Sequence, residues 1–207
     1  MNDLLADLDR VRRTVGSDGD RHVVELRRTY DAPVEDVWDV CTNPERIPRW
    51  FVPVSGDLRL GGRFQLEGNA GGEILECDPP RRLGITWEFG GQSSLVTLDL
   101  AQDGGATELC LRHAVDDDAH WATYGPGAVG VGWELALLGL AIHLRTGGPA
   151  DPDGGFMTSA DGRDFMRGSA AAWGTAHAAA GVDAAVAGEA AARTGAFYAP
   201  DAQDARS

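Results

Sequence analysis

The chain has 207 residues, enough for one well-filled domain with an appendage, and it needs neither disulfides nor metal to hold together. Its formal net charge of -14 repels a nucleic-acid backbone and an anionic membrane surface alike. Cys41, Cys77 and Cys110 stand far apart in apolar runs without C-x-x-C spacing, which predicts buried free thiols in a reducing cytoplasm and no zinc site.

The N-terminal MNDLLADLDRVRR alternates acids with leucines and lacks the basic start and apolar block of a signal peptide. Leu4, Leu8, Val11 and Val15 give a helical stripe over residues 1 to 16, closed by the loop from Gly16 to Gly19. Residues 22 to 30 read as a strand. Pro33 then opens a helix at a position where its missing N–H costs little, with Val37, Trp38 and Cys41 on the apolar side. Asn43-Pro44 starts a second short helix through Arg49 and delivers Trp50 and Phe51.

From residue 54 to residue 115 the apolar period is two, with turn signals between short strands. A three-residue loop at 61–63 pairs Leu60 with Phe64 and Leu58 with Leu66, keeping both apolar sets on one face. A turn at 90–93 sets Trp87 opposite Val96. A two-residue turn at Gly104-Gly105 sets Val96 opposite His113, and the result is a transverse row of Trp87, Val96 and His113. Extended through DPPRR, the same arithmetic adds Glu73 beside Trp87, whereas a one-residue change there sends Ile74 inward.

After an acidic loop at 116–125, Pro126 opens a helix over 126–145. Val129, Trp133, Leu137, Leu140 and Leu144 form one stripe, and Val131, Leu135, Leu138 and Ile142 another, so cover is required on two sides. The apolar stretch carries Glu134 and His143 and falls short of a membrane span. Beyond a linker at 147–155, residues 156 to 198 read as two alanine-rich helices; Phe165, Ser169, Ala172, Trp173 and Ala176 supply a face, and Gly181 a stop. Residues 199 to 207 read as a disordered tail. The organisation expected is an N-terminal segment 1–21, a domain 22–146, the linker, the extension and the tail.

The segments DAPVEDVWDVCTNPERIPRWFVPV, GDLRLGGRFQLEGNAGGEILECDPPRRLGITWEF, LCLRHAV and YGPGAVGVGWELALLGLAIHL, taken in order, resemble the START/Bet v 1-like SRPBCC superfamily. The nearest branch is that of the activator of heat-shock-protein-90 ATPase homologue. The resemblance covers residues 22 to 146 and implies an α+β helix-grip fold. In that fold a curved antiparallel sheet wraps on a long C-terminal helix and holds an internal cavity often used for apolar small molecules. Here the fold would carry a helical C-terminal extension outside the common domain.

Trp50, Phe64, Trp87, Val96, His113, Trp121, Tyr124, Trp133 and Leu137 are the candidate ligand-binding residues, since aromatic walls with few polar groups suit apolar ligands. Each is equally readable as ordinary core. His113 is the candidate acid/base, weighed against a satisfied core histidine. His120, Trp121 and Tyr124 are candidates for a gate at the helix entry. Asp116 to Asp118 read as a solvated loop, and Glu134 as part of a polar seam reaching solvent or Arg145. No phosphate-binding glycine loop, nucleophile elbow or metal spacing is present, so neither cofactor nor metal is expected. The reading is binding of a small hydrophobic molecule. Its alternatives are a polyketide cyclase/hydrolase-like enzyme using His113 and a co-chaperone-like interaction module. The extension covers the long helix within one chain or across a homodimer. Deletion of residues 150 to 207 is therefore expected to lower the melting temperature or cause aggregation, read by thermal denaturation and light scattering.

Overall fold

A computed structural model describes residues 2 to 200, with side chains from residue 6 onward; Leu4's side chain and residues 201 to 207 of the expected tail lie outside the described residues. Helix α1 (Asn2–Asp9) precedes strands β1 (Arg12–Asp18) and β2 (Arg21–Tyr30), helix α2 (Val34–Thr42) and a 3-10 turn at Ile47–Arg49. Six strands follow: β3 (Val54–Gly56), β4 (Arg63–Leu66), β5 (Gly71–Asp78), β6 (Arg82–Phe89), β7 (Gln92–Asp103) and β8 (Ala106–Val115). The helices α3 (Ala119–Tyr124), α4 (Gly127–Thr146), α5 (Ala160–Ala179) and α6 (Ala184–Tyr198) complete the chain. The eight strands form one antiparallel sheet in the order β1-β2-β8-β7-β6-β5-β4-β3, and with α4 this is the helix-grip architecture.

Contacts divide the chain into two compact units: Met1–Leu26 with Asp116–Leu135 and Asp151–Ser207, and Arg27–Val115 with Ala136–Ala150. Strand β2 and helix α4 run through the division.

In the first unit, α5 and α6 are the two alanine-rich helices expected. Ser159 accepts from Gly162 N at 2.9 Å to cap α5, Asp183 accepts from Ala185 N and Val186 N to cap α6, and Gly181 follows the end of α5 at φ +100°. Phe165, Met166, Ser169, Ala170 and Trp173 are buried along α5. Their cover of the first half of α4 is in cis and close: a Cβ on Gly130 would meet the Trp173 ring at 2.1 Å, and Tyr198 donates to Ala128 O at 2.5 Å.

Three expectations fail in this unit. Residues 12 to 18 are strand rather than helix, because alternation of Val11, Arg13 and Val15 wins over i,i+4 spacing. The acidic loop contains α3, whose N-cap Asp118 accepts from Trp121 N at 2.8 Å. Glu134 belongs to no seam toward Arg145: it is 1% exposed and accepts from Arg13 Nε at 2.5 Å and Arg13 Nη2 at 2.8 Å. Arg13 also donates to Val11 O and Leu8 O, both at 3.0 Å, so its fork is largely satisfied by Glu134 and by the end of α1 with the residue just before β1.

Helix α4 has the length and hydropathy of a membrane span after all, but 67% of its most apolar window is buried, so it is a core helix of this fold. In its second half, within the other unit, Tyr30 donates to Leu137 O at 3.1 Å, and Leu137, Leu138 and Leu140 are buried.

Removing one member of the Arg13–Glu134 pair strands a buried charge. Arg13→Met is expected to lower stability by about 3–5 kcal/mol, and Arg13→Met with Glu134→Leu to recover most of that loss, measured by urea denaturation.

Candidate functional site

Strands β6, β7 and β8 carry the site, and their turns decide which side chains share a row. Gly90 and Gly91 both have positive φ, +60° and +81°, which suits a two-residue turn, and Phe89 pairs with Gln92 across it. The register is therefore shifted from the one expected with a four-residue turn: Trp87 faces Ser94, Ile85 faces Val96 and Leu83 faces Leu98. A shift of two keeps every side chain on its expected face but changes its neighbour. The Gly104-Gly105 turn is as expected, pairing Val96 with His113, Leu98 with Leu111 and Leu100 with Leu109.

On the next strand, Cys77 pairs with Leu83 as the expected turn requires, but the register shifts between Ile74 and Glu76. This bulge puts Ile74, not Glu73, into the row, opposite Ile85. Glu73 instead pairs across β4 with Arg63, and its N–H donates to Thr86 Oγ1 at 2.7 Å. The row is thus Ile74, Ile85, Val96 and His113. The β3–β4 connection also differs: Val54 pairs with Leu66 and Gly56 with Phe64, so Leu58 and Leu60 lie in the loop and are exposed, Leu60 at 62%.

His113 is 5% exposed and lies edge-on to Trp87 at 6.1 Å between ring centroids. Its Nε2 is 2.7 Å from Ser94 Oγ, and the Ser94 hydroxyl donates to Trp87 O at 3.1 Å. The one hydroxyl proton serves either Trp87 O, with Ser94 Oγ then accepting from an Nε2–H imidazole, or Nε2 of the other tautomer. Burial pushes the His113 pKa down to about 4, so the ring is neutral at ordinary pH. Ser94 is the residue that sequence reasoning missed, although Gly90-Gly91 read like Gly104-Gly105 would have placed it opposite Trp87.

Phe64 is buried with Leu66 and Ile74, and Phe51, Val52, Val54, Leu83, Ile85 and Trp87 pack around them. Trp87, Phe64, Val96 and His113 therefore belong to one apolar surface. Trp50 stands beside it: its indole stacks on Phe51 at 5.6 Å, and its N–H donates to Val40 O at 3.0 Å. Leu137 is buried in α4.

Trp121, Tyr124 and Trp133 belong to the other unit. Trp121 stacks on His22 at 4.1 Å and meets His177 edge-on at 6.0 Å, while Tyr124 packs against His120 at 5.0 Å and Phe197 at 5.4 Å. Trp133 is half-buried. Of the acidic run, Asp116 accepts from Arg21 at 2.9 Å and Asp117 lies 3.2 Å from His22. The thiols divide by place: Cys110 is buried, burial pushes Cys41 up to about 12, and Cys77, expected inside, is exposed beside the bulge.

Residues 31–145 match the family model described as activator of Hsp90 ATPase homolog 1-like protein. The chain is similar to CalU16 from Micromonospora echinospora, with 38% identity over 80% of this chain and 97% of that one, at a TM-score of 0.68 to its crystal structure. The fold is also that of DynU16, from the dynemicin biosynthetic locus (24% identity, 62% of this chain and 49% of that one, TM-score 0.54). It is shared too by the Aha1 dimer from Colwellia psychrerythraea (14% identity, 60% and 98%, TM-score 0.52). No curated protein matches the chain.

The buried neutral imidazole has a consequence for stability. An unfolded chain takes up a proton on His113 near 6.5 while the folded protein resists until about 4, so stability present above pH 6.5 is lost as the pH falls through this window. The loss levels off below it at about 3 kcal/mol. Denaturant titrations from pH 7.5 to 3.5 check this, and His113→Gln is expected to flatten the slope between 6.5 and 4.

Proposed function

The chain belongs to the family of activator of Hsp90 ATPase homolog 1-like proteins, and from that footing we propose that it binds a small hydrophobic or aromatic molecule between the sheet and the second half of α4. The observation that carries this reading is how burial falls away along the apolar face. Leu100 and Leu109 are sealed, Val96 and His113 are buried, Trp87 and Ser94 are half-buried, and Phe89 at the hairpin tip is 61% exposed. Half-open aromatic rings beside one neutral polar pair, the buried His113 and the half-buried Ser94, supply contact area and a single orienting handle.

A second reading, acid/base catalysis by His113, is favoured by one observation: the Ser94 hydroxyl supplies a second polar group within hydrogen-bond reach. It is the weaker of the two. A group whose pKa is pushed down to about 4 is a poor proton acceptor near neutral pH, where catalytic groups work best with values close to the ambient one. Free thiols, one of them exposed, support a reducing compartment, and we assign the protein to the cytoplasm on that basis.

The test is titration of the whole protein with Nile red, together with native and denaturing mass spectrometry of the purified material. Saturable, blue-shifted binding is expected, with Trp87→Ala weakening it about tenfold. Absence of any saturable uptake by the folded protein overturns the proposal.

A further inference from the structure

Resting on the binding reading above, we propose that the ligand is an uncharged aromatic molecule carrying a hydrogen-bond donor, such as a phenolic hydroxyl, which it gives to Ser94 Oγ.

The absence of charge follows from register. Leu83, Ile85, Trp87 and Phe89 of β6 share a face with Ser94, Val96 and Leu98 of β7 and with Leu111 and His113 of β8. None of these carries a formal charge when His113 is neutral. The charges of β6 lie on the alternate positions and are matched there: Arg82 binds Glu76 at 2.8 Å and Asp99 at 2.5 Å, and Glu88 accepts from Arg63 of β4 at 2.5 Å. A carboxylate, phosphate or ammonium ligand set against Trp87 and Ser94 would meet no countercharge from these three strands and would lose its hydration uncompensated; the buried cation of β2, Arg28, lies over the Tyr30 ring at 5.4 Å.

The demand for a donor follows from the hydroxyl's own bookkeeping. Ser94 has one proton, and Trp87 O or His113 Nε2 takes it; its oxygen has two acceptor sites, and His113 Nε2 occupies at most one. The remaining capacity of Ser94 is to accept. A ligand ether or ketone placed against Ser94 would have to take the proton already given to Trp87 O or His113 Nε2, whereas a ligand O–H or N–H adds to the set. Ser94 is half-buried and opposite Trp87, so a ring stacked on the indole brings its substituent to the hydroxyl.

Displacement of Nile red by 2-naphthol, 2-methoxynaphthalene, naphthalene and 2-naphthoate tests the proposal. The naphthol is expected to bind about tenfold more tightly than its methyl ether, and the naphthoate more weakly than naphthalene. Ser94→Ala is expected to bring the naphthol-to-ether ratio to about one, and Ser94→Thr, which keeps the hydroxyl, to restore it. The ratio is internally normalised, and if Ser94→Ala fails to fold, Ser94→Cys is read in its place with the same expectation. Equal binding of naphthol and ether, or a preference that survives loss of the hydroxyl, overturns the donor inference while naphthalene uptake leaves the binding reading standing. Uptake of none of the four overturns both.

Discussion

A helix that is apolar on nearly every side has to be enclosed on nearly every side, and α4 imposes that requirement on the chain around it. Its first half is met within the chain by α5 and α6, where Gly130 lets the Trp173 ring come against the helix backbone and Thr194 donates to Tyr124 O just ahead of it at 3.0 Å. Its second half buries Leu137, Leu138 and Leu140. The one acidic side chain in the helix, Glu134, is tolerated because Arg13 reaches it with two nitrogens; a carboxylate at that depth without a partner would cost several kcal/mol. The alanine-rich extension is thus cover for a helix that could not otherwise face water.

The functional surface depends on a different constraint, the count of residues in turns. Positive-φ glycines at 90 and 91 and a bulge between Ile74 and Glu76 each set which side chains stand next to one another. Together they give His113 an apolar row of Ile74, Ile85 and Val96 and set Ser94 against its ring nitrogen. The neutrality of His113 is a product of that company, since burial among aliphatic side chains is what disfavours the imidazolium. An apolar face of β6, β7 and β8, half-open at its hairpin end, is the feature from which the proposed binding role is argued.

Much of this was readable from residue order alone. The period of two from residue 54, the apolar stripes of α4, the paired alanine-rich helices with their stop at Gly181, and the pairing of Val96 with His113 all rest on local pattern, and the structure has them. The family segments carry the helix-grip fold. The misread N-terminus shows the limit: Arg13 sits at an inward strand position, where a charged residue breaks the apolar alternation that marks a strand. Its justification lies 121 residues away in Glu134.

What the sequence by itself determined is therefore the strands of the period-two region, the helices α2, α4, α5 and α6, and the shared face along β6, β7 and β8, because periodicity is a property of neighbouring residues. Tertiary structure decided the pairings across elements: Ser94 with His113, Ile74 in place of Glu73, Arg13 with Glu134. These depend on a bulge, a turn length and a partner distant in the chain. A one-residue insertion in a strand or a two-residue change in a turn leaves the local pattern almost untouched while moving every cross-strand contact beyond it.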